Sequence, residues 1–192
     1  MAGRKYKSQI GAIPKIVNNF KPKTSNQNIF YNIMGDEETQ LILCHGIAGT
    51  GKTYVSIYKA LQDILRRGTP YNKLIIINPT VDVGNEDKLG FLPGELSSKI
   101  QQYNESTFTI LDKIIGKDKA TKMMSDGKLE IGVLNFLRGV NLENCYVILD
   151  EAQNVSPMQI KTLMTRIGND CKMIIQGDMS QCDKFKANGI TA

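Results

Sequence analysis

The sequence predicts a three-layer α/β fold, a mostly parallel twisted sheet with helices on both faces. Three observations predict it. Short apolar runs alternate with helical patterns along the chain, a glycine-rich segment joins the first run to an amphipathic helix, and a later run ends in two adjacent carboxylates. Parallel strands need crossover connections, usually helical, and those helices cover both faces of the sheet. In such sheets ligands bind beyond the C-terminal ends of the strands.

The elements follow in order. Strands are expected at Leu41–His45, Leu74–Asn78, Leu129–Leu134, Tyr146–Leu149 and Met173–Gln176. After the first comes a helix with Tyr54, Ile57, Tyr58, Leu61, Ile64 and Leu65 at the 3.6-residue period, stopped at Gly68. A second helix is expected within Leu96–Ile115. A third begins at Ser156 as N-cap, with Pro157 at the first helical position and Gln159 placed to close a capping box. Its apolar stripe is Ile160, Leu163, Met164 and Ile167.

Composition bounds the function classes. The 192 residues, 41% hydrophobic and 22% charged, suit one soluble domain able to bury a core. No apolar run approaches the roughly 20 residues that span a bilayer. The basic N-terminus has no continuous apolar centre, so it does not read as a secretory signal. A cytoplasmic protein is expected, in the host cytoplasm if phage-encoded. Cys44, Cys145, Cys171 and Cys182 form no C-x-x-C pair and lie in or near apolar runs, as buried free thiols do. His45 is the only histidine and no zinc spacing exists, so metal binding through cysteine is not expected. Residues 1–23 carry Arg4, Lys5, Lys7, Lys15, Lys21 and Lys23 and no acid, whereas the rest of the chain is close to neutral. This reads as a basic arm on a domain spanning 24–192, and charge alone suits such an arm equally to a nucleic-acid backbone or to a solvated tail.

The segment Gly46, Ile47, Ala48, Gly49, Thr50, Gly51, Lys52, Thr53 fits G-x-x-x-x-G-K-[ST], the phosphate loop of P-loop NTPases. Glycine lets backbone N–H groups curl around phosphate oxygens with no Cβ in the way. The helix that follows points its positive end at the same anion. Lys52 is expected to reach the β- and γ-phosphates and the Thr53 hydroxyl to ligate magnesium. His45 borders the loop and reads as structural.

The run from Cys145 to Leu149 ends in Asp150 and Glu151. Strand side chains alternate, so adjacent acids at a strand tip can take different roles. Asp150 is expected to hold magnesium and Glu151 to act as general base on the attacking water. No Asn-Lys-x-Asp guanine motif is present, since Asn72-Lys73-Leu74-Ile75 lacks the acid. The tandem carboxylate favours water over a small-molecule acceptor, so ATP hydrolysis is expected. The last strand leads into Gly177-Asp178-Met179-Ser180-Gln181, where Gln181 could sense a γ-phosphate.

Together these residues resemble the PhoH family, ATPase-like proteins induced by phosphate starvation. The resemblance covers roughly residues 24–185. It rests on the phosphate loop, Leu89-Gly-Phe-Leu-Pro-Gly94, Leu137-Arg138-Gly139, Val147-Ile-Leu-Asp-Glu-Ala-Gln-Asn154, Leu163-Met-Thr-Arg-Ile-Gly168 and Gly177-Asp178. It departs from the family at Asn78-Pro79, where Arg-Pro is usual, and by two extra residues between Gly84 and Leu89. The family resembles the first motor domain of RecA-type, helicase-like proteins. That resemblance implies that Gln27, in Thr24-Ser-Asn-Gln27, reads adenine and that Gln181 matches the glutamine of helicase motif III. It also implies a homo-oligomer, plausibly a hexameric ring. Family members run on into a basic motif suited to an arginine finger, so the chain reads as a short form or a fragment.

The expectation is therefore an ATPase using ATP and Mg2+. One rival is a helicase or translocase on RNA or single-stranded nucleic acid, and another is a non-catalytic nucleotide switch. Among the arginines, Arg4 lies on the arm, and Arg66 and Arg67 lie at the far end of the phosphate-loop helix. Arg138 and Arg166 are left as candidates, each expected to act across a subunit interface if at all.

Overall fold

The computed structural model of the chain describes residues 16, 19–79, 104–132 and 141–181. In chain order the elements are α1 (Ser25–Gly35), β1 (Leu41–His45), α2 (Lys52–Ile64), β2 (Lys73–Ile77), α3 (Glu105–Ile115), α4 (Lys117–Ser125), β3 (Leu129–Gly132), β4 (Cys145–Leu149), α5 (Pro157–Met164) and β5 (Cys171–Gly177). Short 3-10 turns cover Ala152–Asn154 and Met179–Gln181. The strands form one sheet in the order β1-β5-β4-β2-β3, and every neighbouring pair is parallel. The fold is the expected α/β class.

Alternation of side chains divides the core into two layers. One face of the sheet presents Ile42, Leu74, Ile76, Tyr146, Ile148 and Ile174 to Met34 of α1, Ile57 and Leu61 of α2, and Leu111 and Ile114 of α3. The other presents Ile75, Ile77, Val147, Leu149, Met173 and Ile175 to Val155 and to Ile160 and Leu163 of α5. Burying one such side chain stabilises the fold by about 1.5–3 kcal/mol. The three central strands are buried on both faces, which is why they read as continuous apolar runs. Among the described residues no helix is long and apolar enough to cross a membrane.

The elements depart from expectation in instructive places. β4 begins one residue earlier, at Cys145, and β5 runs from Cys171 to Gly177, because β5 is paired on both sides and its ladder extends past the apolar run. β2 is shifted to start at Lys73, whose ammonium pairs with Glu130 of β3. α2 ends at Ile64, and the left-handed Gly68 (φ 77°) belongs to the turn beyond it. α3 lies within the expected span and ends at its limit, Ile115, and Gly116 (φ 82°) separates it from α4, which was not foreseen. Residues 96–103 of the expected second helix and 133–134 of the expected third strand lie outside the described residues. α5 begins with the expected capping box from Ser156 and Gln159 but stops at Met164, which is exposed. Ile167 bridges to Leu142 outside the helix. Cys145 and Cys171 are buried, free and adjacent, their sulfurs 3.8 Å apart. Cys182 lies outside the described residues.

A charge sits near the start of β5. Lys172 is 1% exposed, and its Nζ donates to the carbonyls of Met34 (2.8 Å) and Asp36 (2.5 Å), closing the C-terminal end of α1. Beside it the Tyr146 hydroxyl donates to Asp63 at 2.5 Å, and Lys59 pairs with the same carboxylate at 2.6 Å. Burial pulls the Lys172 ammonium below its ordinary pKa, while Asp63 and Asp36 oppose the shift. A buried lysine of this kind anchors α1 to the sheet. Lys172→Met should leave the Asp36 carbonyl without its donor and the Met34 carbonyl with only the Tyr146 hydroxyl at 3.3 Å, and cost about 1–3 kcal/mol of stability, read as a lower urea midpoint. An unchanged midpoint would mean that water replaces the ammonium at no loss.

Candidate functional site

The loop between β1 and α2 sits at the C-terminal edge of the sheet. Gly46 donates to Gly177 of β5, which starts the loop beside the end of that strand. Gly51 is the N-cap of α2 and is left-handed (φ 84°), a conformation glycine adopts without strain. No side chain caps this helix, so its first N–H groups and the positive end of its dipole face the loop. Lys52 bends back, and its Nζ donates to the carbonyls of Gly46 (2.6 Å) and Ile47 (3.0 Å). Thr50 Oγ1 donates to Ile47 O at 2.8 Å. The Ala48 N–H donates to Asp178 Oδ2 at 2.7 Å, tying the loop to the chain after β5. The hydrogen bond from the Ser180 hydroxyl is the main cause that holds Asp178 below the usual carboxylate range; burial opposes it, and the Ser180 and Ala48 amides and the Lys52 charge assist.

Strand register builds the other wall. Leu149 pairs with Ile175, so Asp150 falls beside Gln176, which itself pairs with Cys44 of β1. Asp150 is buried, and its Oδ2 accepts from the Thr53 hydroxyl at 2.8 Å. Gln176 Nε2 lies 3.0 Å from Asp150 Oδ1 and 3.2 Å from Thr53 Oγ1. The chain then turns sharply, because Glu151 is left-handed (φ 51°, ψ 39°), a strained state for a residue with a Cβ. Glu151 Oε2 accepts from Gln153 Nε2 at 2.5 Å, and Gln153 Oε1 accepts from the Asp178 amide at 3.0 Å. Hydrogen bonds thus link the loop, through Asp178 and Gln153, to Glu151.

Between the walls lies a cleft of about 250 Å³, lined by Ala48, Gly49, Gly51, Lys52, Thr53, Asp150, Glu151 and Gln181, with Tyr54 and Ile110 at its apolar side. Thr53 and Asp150 suit magnesium, which takes one or two carboxylates with phosphate and water rather than an all-protein cage. Among the described residues no group of three or more His, Cys, Asp or Glu is gathered that could hold an ion by itself.

Other expected residues lie around this cleft. Gly46, Ile47 and Thr50 contribute loop carbonyls rather than lining. Gln27 lies against the loop: its Nε2 donates to Thr50 O at 3.0 Å, and its Oε1 accepts from the Lys23 amide at 2.8 Å. Upstream of the expected boundary at residue 24, Phe20 packs on Tyr54 and Tyr58 with ring centroids 5.3 Å away. His45 is exposed on the sheet face opposite Cys44 and Gln176. Arg166 accepts the Leu142 amide at the N-terminal end of β4, about 20 Å of strand from Asp150. Arg138, most of the basic arm and the stretch Leu89–Gly94 lie outside the described residues. Gln153, Gln176 and Asp178 had no assigned role in the sequence. The available signal was a polar residue closing an apolar strand immediately before Gly177-Asp178.

The sequence matches the family model described as PhoH-like protein over residues 19–192. It is 41% identical over 161 residues to a PhoH-like protein of Bacillus subtilis, covering 84% of this chain and 49% of that one. It is 37% identical over 163 residues to a PhoH-like protein of Synechocystis, covering 85% and 48%. The chain spans about half the length of these curated relatives. Its fold is similar to that of the Sulfolobus solfataricus SWI2/SNF2 ATPase core, solved in complex with double-stranded DNA, with TM-score 0.53 and 16% identity over 96% of this chain and 37% of that one.

The left-handed Gly51 yields a test of the loop. A Cβ there would stand 3.1 Å from Gln27 Nε2 on a backbone that L side chains avoid. Gly51→Ala should therefore cost about 1–2 kcal/mol in thermal unfolding and weaken nucleotide binding in the same protein. A variant with wild-type stability and binding would show that the loop relaxes freely.

Proposed function

The chain belongs to the PhoH-like protein family, and on that premise we propose that it binds ATP with magnesium between the phosphate loop and the tip of β4, and hydrolyses it. The observation that carries this reading is the 2.8 Å contact between the Thr53 hydroxyl and Asp150, at the open end of α2 and beside Lys52. Two side chains far apart in sequence meet where a triphosphate's metal would lie.

In this reading Lys52 exchanges the carbonyls of Gly46 and Ile47 for the β- and γ-phosphate oxygens, and the α2 N–H groups receive the remaining charge. Thr53 and Asp150 would hold Mg2+, which would supply positive charge against the phosphate charge that develops on transfer. Glu151, held through Oε2 by Gln153, takes a proton from the attacking water. Gln181, on the cleft wall, contacts that water or the γ-phosphate. Arg166 lies too far from its own cleft to assist, so a completing arginine comes from a neighbouring copy, as in a ring. A cytoplasmic setting fits this substrate.

A second reading is supported by the likeness to a DNA-bound ATPase core and by the basic residues of 1–23: the hydrolysis drives movement on RNA or single-stranded nucleic acid. ATP turnover measured with and without RNA separates the readings. Stimulation supports the motor, RNA-independent turnover the plain ATPase, and tight binding without turnover a nucleotide switch.

Lys52→Ala should abolish binding or turnover, and Glu151→Gln should retain ATP while losing hydrolysis, both read by equilibrium binding and phosphate release. Wild-type turnover by Glu151→Gln would remove Glu151 as base. If Gln27 reads adenine on exchanging its present partners, Gln27→Ala should weaken ATP more than GTP by about 1–3 kcal/mol. Equal losses would leave Gln27 as a brace for the loop.

A further inference from the structure

The end of β5 carries a side chain that neither the motif nor the proposed chemistry uses. Gln176 is 0% exposed and lies between the two residues suited to magnesium. Its Nε2 donates to Asp150 Oδ1 at 3.0 Å and to Thr53 Oγ1 at 3.2 Å. Its Oε1 is buried with no hydrogen-bond partner among the described residues. The amide orientation is fixed chemically, because the reversed amide would put a carbonyl oxygen against the Asp150 carboxylate.

Counting lone pairs shows what this bridge does. Asp150 Oδ1 accepts from both Gln176 Nε2 and the Glu151 amide at 3.0 Å, which occupies its two in-plane lone-pair directions. Among the described residues, Asp150 Oδ2 accepts only the Thr53 hydroxyl proton. Thr53 Oγ1 gives its proton to Asp150 and receives one N–H from Gln176, so one of its lone pairs is left over. The hydroxyl rotor of Thr53 and the carboxylate torsion of Asp150 are therefore both set from below by one buried amide. Each ligand atom retains one lone pair.

We infer that Gln176 is a positioning residue of the divalent-cation site, which orients Thr53 Oγ1 and Asp150 Oδ2 so that their remaining lone pairs converge on the ion. The inference rests on the reading of the cleft as an ATP·Mg2+ site and adds a residue to it. Hydrogen-bonded partners behind metal ligands govern ligand orientation, and their loss commonly weakens metal binding about 10- to 100-fold. The position of Gln176 is dictated by β5 lying between β1 and β4, so the same register that brings the acid near the loop also brings its orienting amide.

The experiment is a Mg2+ titration of the affinity for a fluorescent ATP analogue, comparing wild type with Gln176→Met, which keeps the bulk and removes the donor. Gln176→Glu is the second variant, since its carboxylate cannot donate. In EDTA both should bind the analogue weakly but as wild type does, and both should unfold cooperatively on heating. The Mg2+ concentration at half-maximal tightening should rise about 10- to 100-fold in Gln176→Met. An unchanged Mg2+ midpoint in both variants overturns the inference while leaving the nucleotide site intact. An equal loss of binding in EDTA also overturns it, by reducing Gln176 to a structural residue. A wild type whose affinity ignores Mg2+ overturns the underlying reading itself.

Discussion

Strand β5 lies between the loop strand β1 and the acid strand β4, hydrogen-bonded to both, and the site depends on that arrangement. Parallel register aligns Cys44, Gln176 and Asp150 side by side at one edge of the sheet. α2 begins above that row, which brings the Thr53 hydroxyl onto Asp150. The spacing across two strand intervals, about 10 Å, leaves room for a triphosphate between the loop and the carboxylates. Slipping β5 by one residue would turn Gln176 to the opposite face and place apolar Ile175 against Asp150.

Polar side chains fix what the apolar core alone would leave loose. The core supplies most of the stabilisation, yet Ile, Val and Leu specify register only through which face they occupy. Asp178 fastens the loop amide, Gln153 fastens Glu151, and Lys172 fastens the end of α1 at the far side of the sheet. α1 then delivers Gln27 to the loop backbone. Each of these groups is held by geometry that an unpaired buried polar atom would penalise by about 1–3 kcal/mol, so loop, acid pair and first helix are set together.

The sequence carried much of this openly. The fold class followed from alternation of strand and helix, the loop between β1 and α2 from its glycines and Lys52, and the start of α5 from Ser156, Pro157 and Gln159. Each is a local signal with a local cause. What escaped was non-local. Lys172 reads as a solvent-facing residue until the carbonyls of Met34 and Asp36 are brought onto it, 138 and 136 positions away in the chain. Gln176 reads as the ordinary end of a strand until the register sets Asp150 beside it. α4 escaped because Lys117–Ser125 is mostly polar and buries only Ala120 and Met123, too thin an apolar stripe to read as a helix.

The central claim is that Thr53 and Asp150 meet in order to hold the metal of a hydrolysed triphosphate. Phosphate release from ATP by the wild-type chain, followed with Mg2+ and then with the ion removed by EDTA, tests it most directly. The account predicts release that requires Mg2+ and returns when the ion is restored. ATP bound in the cleft with no release at any Mg2+ concentration, or release indifferent to the ion, would contradict it.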